Sequence, residues 1–257
     1  MKPSQIACQL YTVRDHLKTP RDIAASLKRV RAIGYEAVQV SCLGPIADDE
    51  LAKILRGEGL TCCGTHEDGA RLLSDPGSLV DRLRKLDCGI TTYPWPGDTR
   101  FGSLIDVRSF ALKLNAAGKI LHEAGITFCY HNHHMEFRRV GGRAVLEVIY
   151  TETDPRYLQA ELDTYWIQFG GGDPEDWCRW MKDRLVNLHM KDYGIGPDNQ
   201  VVFAEVGSGN LDWPSIVSAA QDSGCRWFIV EQDTCPGDPF DSLKQSYDFV
   251  RKNLCRG

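Results

Sequence analysis

At 257 residues, the chain is long enough for one large α/β barrel or two smaller domains, and either can bury a real core. A formal net charge of -5 and a pI near 5.8 exclude a phosphate-backbone binder, which needs a concentrated basic face. Lysines and arginines are spread without a block of like charge and read as solvated helix faces, so neither nucleic acid nor a membrane surface is an expected partner. The opening Met1 to Cys8 lacks an apolar core of signal-peptide length and no run approaches membrane-spanning length, which makes a cytoplasmic protein the expectation.

In chain order, short β-like runs alternate with longer amphipathic segments. Strands are predicted at 6–11, 37–41, 60–66, 89–95, 126–133, 158–163, 185–190 and 227–231. The intervening helices are predicted at 21–32, 48–56, 75–86, 103–124, 143–150, 174–182, 213–223 and 239–253. Gly34 and Gly125 stop two of these helices, and Asp173 with Pro174 starts another. Strands alternating with helices imply parallel strands joined by crossovers. Eight such units in one chain of this length predict a single-domain (β/α)8 TIM barrel over residues 1–257.

The ten cysteines do not argue against this. None is spaced C-x-x-C, and Cys8, Cys42, Cys62, Cys88, Cys129 and Cys225 lie in or beside the apolar runs, where a thiol packs as a small hydrophobe.

Four of the later strands end on groups that ligate metals or move protons. The fifth runs into Tyr130-His131-Asn132-His133-His134-Met135-Glu136-Phe137, which holds three of the seven histidines. The sixth ends on Glu161 and Asp163, the seventh on His189 and the eighth on Glu231. Active sites of such barrels lie at the C-terminal strand ends. Spacing by two places Glu161 with Asp163, and His131 with His133, on one strand face. A divalent metal needs three or four imidazole or carboxylate donors from different elements. His131, His133, Asp163, His189 and Glu231 supply that set, although each alone could merely cap a strand.

Around this set, parity turns His134 away, and Glu136 is a candidate ligand, base or histidine partner. His66 is expected near the pocket, whereas His16 and His122 read as surface residues. Lys191, two residues after His189, is a candidate for holding a substrate oxygen, with an ion pair to Asp192 as the alternative. The glycine-rich 205–213 segment could cradle an anion, but reads more simply as a loop into a helix cap, with Glu205 toward the pocket. Tyr11, Tyr93, Trp95, Tyr165, Trp166 and Phe203 fall at strand ends or in the loops that follow.

Taken together, Tyr-His-Asn-His-x-x-Glu-Phe, Glu-Leu-Asp-x-Tyr-Trp, His-x-Lys-Asp, Glu-x-Gly-x-Gly-x-Leu-Asp-Trp and Val-Glu-Gln-Asp resemble the xylose isomerase-like TIM-barrel superfamily. The group usually labelled sugar phosphate isomerase/epimerase is the nearest in pattern. With Gln9 to Asp15 at the start, the resemblance covers essentially the whole chain. It implies one divalent ion (manganese, cobalt, magnesium or zinc) held by Glu, Asp, His and Glu from the last four strands. Asp163, His189 and Glu231 match three of these positions, and His131 stands where the first Glu is expected.

The activity implied is a metal-dependent isomerase or epimerase acting on a sugar or sugar-like keto compound through an enediolate. Glu231, Glu136 and Lys191 would be the catalytic groups, and His66, Tyr11, Trp166, Glu205 and Glu161 would bind substrate. Losing the first Glu puts a symmetric two-base epimerisation in question and opens a dehydratase or lyase reaction on a keto-sugar or inosose. A non-catalytic sugar-binding barrel is the other class. The DNA-repair branch is set aside, because Asp163-Thr164-Tyr165-Trp166 puts an indole where its Asp-x-x-His ligand belongs. The expected partner is a small carbohydrate or cyclitol, and self-association into a homo-oligomer is compatible with the sequence.

Overall fold

The computed structural model describes residues 1–97 and 99–256. Eight parallel strands close into a barrel. They are β1 (Ile6–Gln9), β2 (Ala37–Val40), β3 (Thr61–His66), β4 (Ile90–Tyr93), β5 (Thr127–His131), β6 (Gln159–Asp163), β7 (Leu185–Met190) and β8 (Trp227–Val230). Each pairs with its sequence neighbour, and β1 pairs with β8 to close the ring.

The strands are short and buried on both sides, so period 2 separates two interiors rather than core from solvent. One set of side chains, including Cys8, Val38, Tyr130, Leu188, Phe228 and Val230, packs outward under the helices in the main apolar core. The alternate set faces the barrel axis. Its lowest layer is small and apolar, with Ala7, Ala37, Cys63 and Ile229 packed on Trp227. Two residues further along each strand the axis turns polar, with Gln9, Gln39, Thr92, Glu161 and Asn187 all buried. Another step along, His131, Asp163, His189 and Glu231 form the rim. The register Asp163↔His189 and His131↔Glu161 aligns β5, β6 and β7, which carry three of these groups.

The helices begin where the sequence places caps. Thr19, Ser103, Asp173, Asp212 and Asp238 each accept a hydrogen bond from a first-turn amide. The long helix Leu104–Glu123 docks through Gly118, where a Cβ would stand 2.0 Å from the Tyr157 carbonyl oxygen.

The structure departs from the sequence reading in several places. Residues 75–86 divide into a 3-10 turn, Pro76–Leu79, and a short helix, Val80–Lys85, after an unpredicted helix, Gly69–Ser74. A further short helix, Thr164–Phe169, starts at Asp163, and a hairpin pairs Asp192–Ile195 with Val201–Ala204. These pieces are too short to show a hydrophobic period. Cys42 is exposed with a φ of 52°, not packed as a core thiol, because β2 ends at Val40 and the chain turns there. No helix among the described residues is long and apolar enough to cross a membrane.

Candidate metal centre and pocket

A cavity of about 440 Å³ opens at the C-terminal end of the barrel. Its lining comes from the C-terminal ends of seven strands and the loops that follow them, and includes Tyr11, His66, Glu67, Asp68, Trp95, His131, His133, Lys191, Glu231 and Asp233. At its floor His131, Asp163, His189 and Glu231 each offer a ligand atom, and these atoms lie within 4.8 Å of one another. His66, His131, Glu161 and His189 form a second such group one layer lower.

Donor geometry separates the two groups. Glu161 is wholly buried, and both its oxygens are already engaged. Its Oε2 accepts from Gln39 Nε2 (2.6 Å), Asn187 Nδ2 (2.7 Å) and Thr92 Oγ1 (3.0 Å), while Oε1 meets His66 Nε2 at 2.6 Å and His189 Nε2 at 3.2 Å. Burial alone would raise the Glu161 pKa, but His189 and His66 outweigh it and hold the carboxyl well below its usual range. Glu161 is thus the pillar on which the rim histidines stand.

The rim group is less satisfied. Asp163 Oδ1 caps the following helix by accepting from the Trp166 amide at 3.0 Å. Asp163 Oδ2 is buried with an ion-pair contact to Lys191 but no aligned hydrogen bond, and His131 Nδ1 also lacks a partner. Two imidazoles, two carboxylates and orphaned buried donor atoms fit a divalent ion. His189 Nδ1 lies 2.7 Å from Glu231 Oε2 and its Nε2 lies 2.8 Å from Gln39 Oε1. Burial would lower the His189 pKa, but Glu161 and Glu231 raise it to about 10. Divalent-ion binding at this ring would therefore be coupled to loss of its proton.

Lys191 is the cation of this rim. Its Nζ lies 3.0 Å from Asp163 Oδ2, 3.0 Å from Glu231 Oε2 and 2.9 Å from Asp233 Oδ1. Burial opposes its charge, but the three carboxylates raise its pKa well above the ordinary value. Glu231 is held low by Lys191 and His189 against its own burial. Asp163 shares the same ammonium but is pushed up by burial, with Glu231 adding repulsion.

The expected Lys191–Asp192 alternative fails for a specific reason. Asp192 turns away and accepts from Gly207 N (2.8 Å), Gly209 N (3.2 Å), Leu211 N (3.3 Å) and Trp213 Nε1 (2.7 Å). The glycine-rich loop does cradle an anion, and the anion is the protein's own carboxylate. A Cβ on residue 209 would stand 2.3 Å from Asp192 Oδ1, and Gly207 has a φ of 89° under Phe249. Glycine is required at both positions.

Other expected site residues are placed differently. His133 lines the pocket but stands outside both ligand groups, because β5 ends at His131 and strand parity ends with it. Burial lowers its pKa to about 3, so the ring is neutral. Glu136, expected to be catalytic, is fully buried behind this segment. It accepts from the Tyr130 hydroxyl at 2.6 Å and the His133 amide at 3.0 Å, and it does not line the cavity. Burial raises its pKa to about 7.

Among the expected substrate contacts, His66 and Tyr11 line the cavity, and Glu161 is sealed beneath it. Trp166 flanks His133 at 5.5 Å between ring centres without lining the cavity. Glu205 is drawn off the pocket by Ser242 Oγ at 2.7 Å. His134 packs on Trp166 and Phe169, as its parity implies, and His16 and His122 are exposed. Sequence reasoning missed Asp233, which sits past the end of β8 where the only signal was its closeness to Glu231, and Gln39, which carried no motif.

Comparison with known proteins bears on the fold. A family model described as xylose isomerase-like TIM barrel matches residues 27–253. An inosose dehydratase of Geobacillus thermodenitrificans is 28% identical over 158 residues, covering 54% of this chain and 52% of that protein. One from Lacticaseibacillus casei is 30% identical over the same shares. The chain thus spans about half the length of the curated relatives it matches. Among solved structures, a sugar phosphate isomerase/epimerase of Parabacteroides distasonis superposes with a TM-score of 0.84 at 23% identity, over 98% of this chain and 95% of that one. An L-ribulose 3-epimerase gives 0.73 at 13% identity, over 96% and 93%. These likenesses concern the fold.

Proposed function

The chain belongs to the xylose isomerase-like TIM-barrel family, and from that premise we propose a divalent-metal-dependent enzyme that removes a proton beside the carbonyl of a sugar-like keto compound. The observation that carries this reading is the convergence of His131, Asp163, His189 and Glu231 within 4.8 Å at the floor of an open cavity. A divalent ion held there would polarise the carbonyl and an adjacent hydroxyl.

The remaining chemistry falls to the chain's own groups. Every side-chain contact of Glu231 is made by Oε2, which leaves Oε1 to take the proton from the substrate carbon. Lys191, which lines the cavity, would be the ammonium that meets negative charge growing on a substrate oxygen. A second carboxylate for epimerisation would have to be Glu136, and that group is enclosed by Tyr130 and His133. With one free carboxylate oxygen, a β-elimination is the reaction of choice. Glu231 takes the proton, hands it to the departing hydroxyl, and water leaves. The inosose dehydratases among the relatives favour the same direction. Isomerisation by the same single base is the second reading, favoured by shape likeness to a sugar phosphate isomerase/epimerase.

The substrate is read as unphosphorylated. The acids Glu67, Asp68, Glu231 and Asp233 line the cavity, while Lys191, its only lysine or arginine among the described residues, is already paired with carboxylates. A phosphate dianion would find no unpaired lysine or arginine in this lining among the described residues.

The test is incubation of free and phosphorylated ketoses, inososes and 3-keto-glycosides with manganese in deuterated water, following label at carbon and loss of water. Glu231→Gln is expected to abolish both signals. Tight sugar binding with neither signal on any candidate would leave a binding protein instead.

A further inference from the structure

The charges at the rim give a role to two residues outside the ligand set. Lys191 Nζ stands at once 2.9 Å from Asp233 Oδ1 and 3.0 Å from each of Asp163 Oδ2 and Glu231 Oε2, two of the groups that could hold a divalent ion. A divalent ion bound by Asp163 and Glu231 would take up their charge and leave Asp233 as the remaining carboxylate partner of the ammonium. An ammonium and a divalent ion both drawn to those two carboxylates repel one another across a few ångströms of buried space.

Any adjustment by Lys191 must come from its side chain. Its backbone is clamped by Thr164, whose hydroxyl donates to the Lys191 carbonyl at 2.8 Å and accepts from its amide at 3.2 Å. Asp233 is the most solvent-accessible of the three carboxylates, with 22% side-chain exposure against 0% for Asp163 and 5% for Glu231. It is therefore the partner an ammonium can keep while leaving the floor.

We propose that Lys191 is the resident cation of the metal-free centre and that Asp233 receives it when a divalent ion enters, so that this pair sets metal affinity. The inference rests on the metal reading above and adds to it a residue pair that touches no metal.

The test is the affinity of the chelator-stripped full chain for Mn²⁺, by competition with a chromophoric chelator. Lys191→Met is expected to bind at least roughly tenfold tighter, because a competing charge is gone. Damage to the centre would move affinity the other way. Asp233→Asn is expected to bind at least roughly tenfold weaker, and that penalty should vanish in the Lys191→Met/Asp233→Asn double variant. Equal or weaker binding by Lys191→Met, or an Asp233→Asn penalty that survives in the double variant, overturns the proposal. Should Lys191→Met fail to fold, Asp233→Asn alone decides, since unchanged or tighter binding there is equally fatal. Mn²⁺ binding unaffected by any of these changes sinks this inference and spares the metal centre; absence of binding in the wild-type chain sinks both.

Discussion

Replacing Glu136 by Gln separates a buried structural carboxyl from a catalytic one. The folded protein holds Glu136 at a pKa of about 7, from an ordinary value of 4.5, because burial penalises the charged form more than Tyr130 and the His133 amide stabilise it. Below pH 4.5 the group is protonated in folded and unfolded chains alike and costs nothing. Between 4.5 and 7 the unfolded chain releases its proton while the folded one keeps it, so native stability falls as pH rises. At about 1.4 kcal/mol per pH unit the cost is about 3 kcal/mol by pH 7. Gln cannot titrate, although its amide must face one of the two donors now aimed at the carboxylate, a penalty of roughly 1–3 kcal/mol at every pH. Urea unfolding of both proteins at pH 4.5 and pH 8, followed by tryptophan fluorescence, should therefore show Glu136→Gln gaining about 3 kcal/mol on the wild type across that interval. Proton exchange, once a substrate is in hand, should survive the change. A stability difference constant with pH, or an enzyme silenced with its fold intact, would refute the burial argument.

Three further outcomes follow from the same geometry. Asp192→Asn replaces one acceptor oxygen by an amide nitrogen, which must face either the Leu211 amide or the donors of residues 207, 209 and 213, and should cost about 3 kcal/mol in urea unfolding, since bonds to a charged acceptor are being lost. Gly118→Ala drives a methyl into the Tyr157 carbonyl and should destabilise by roughly 1–3 kcal/mol, read as a lower Tm with the secondary structure unchanged. Adding Mn²⁺ at about a hundredfold excess over its Kd should stabilise the stripped chain by about 2.7 kcal/mol, visible as a raised Tm; Asp163→Asn should abolish that rise.

The alternation of short apolar runs with amphipathic segments was enough for the barrel, because eight βα units have few other ways to close. The strand-end groups that converge at the rim were legible for the same reason. Chain parity aims Asp163 and Glu161 at the axis, and an eight-strand ring brings His189 and Glu231 beside them. Parity is a rule for strands alone, and it failed where the strands stop. His133 follows the end of β5, so its position depends on Glu136 gripping its amide. Glu205 reads as a pocket residue until Ser242, 37 positions away, takes its carboxylate.

The sequence by itself determined which groups could meet, through residue type and spacing along each strand. Tertiary structure decided which of them are free to react. Glu161, Glu136 and Asp192 are as acidic in the sequence as Glu231, yet each is enclosed by donors from distant segments. Burial and hydrogen bonding, which fix whether a carboxylate is a pillar or a base, are properties of neighbours in space, and a linear spacing rule contains no term for them.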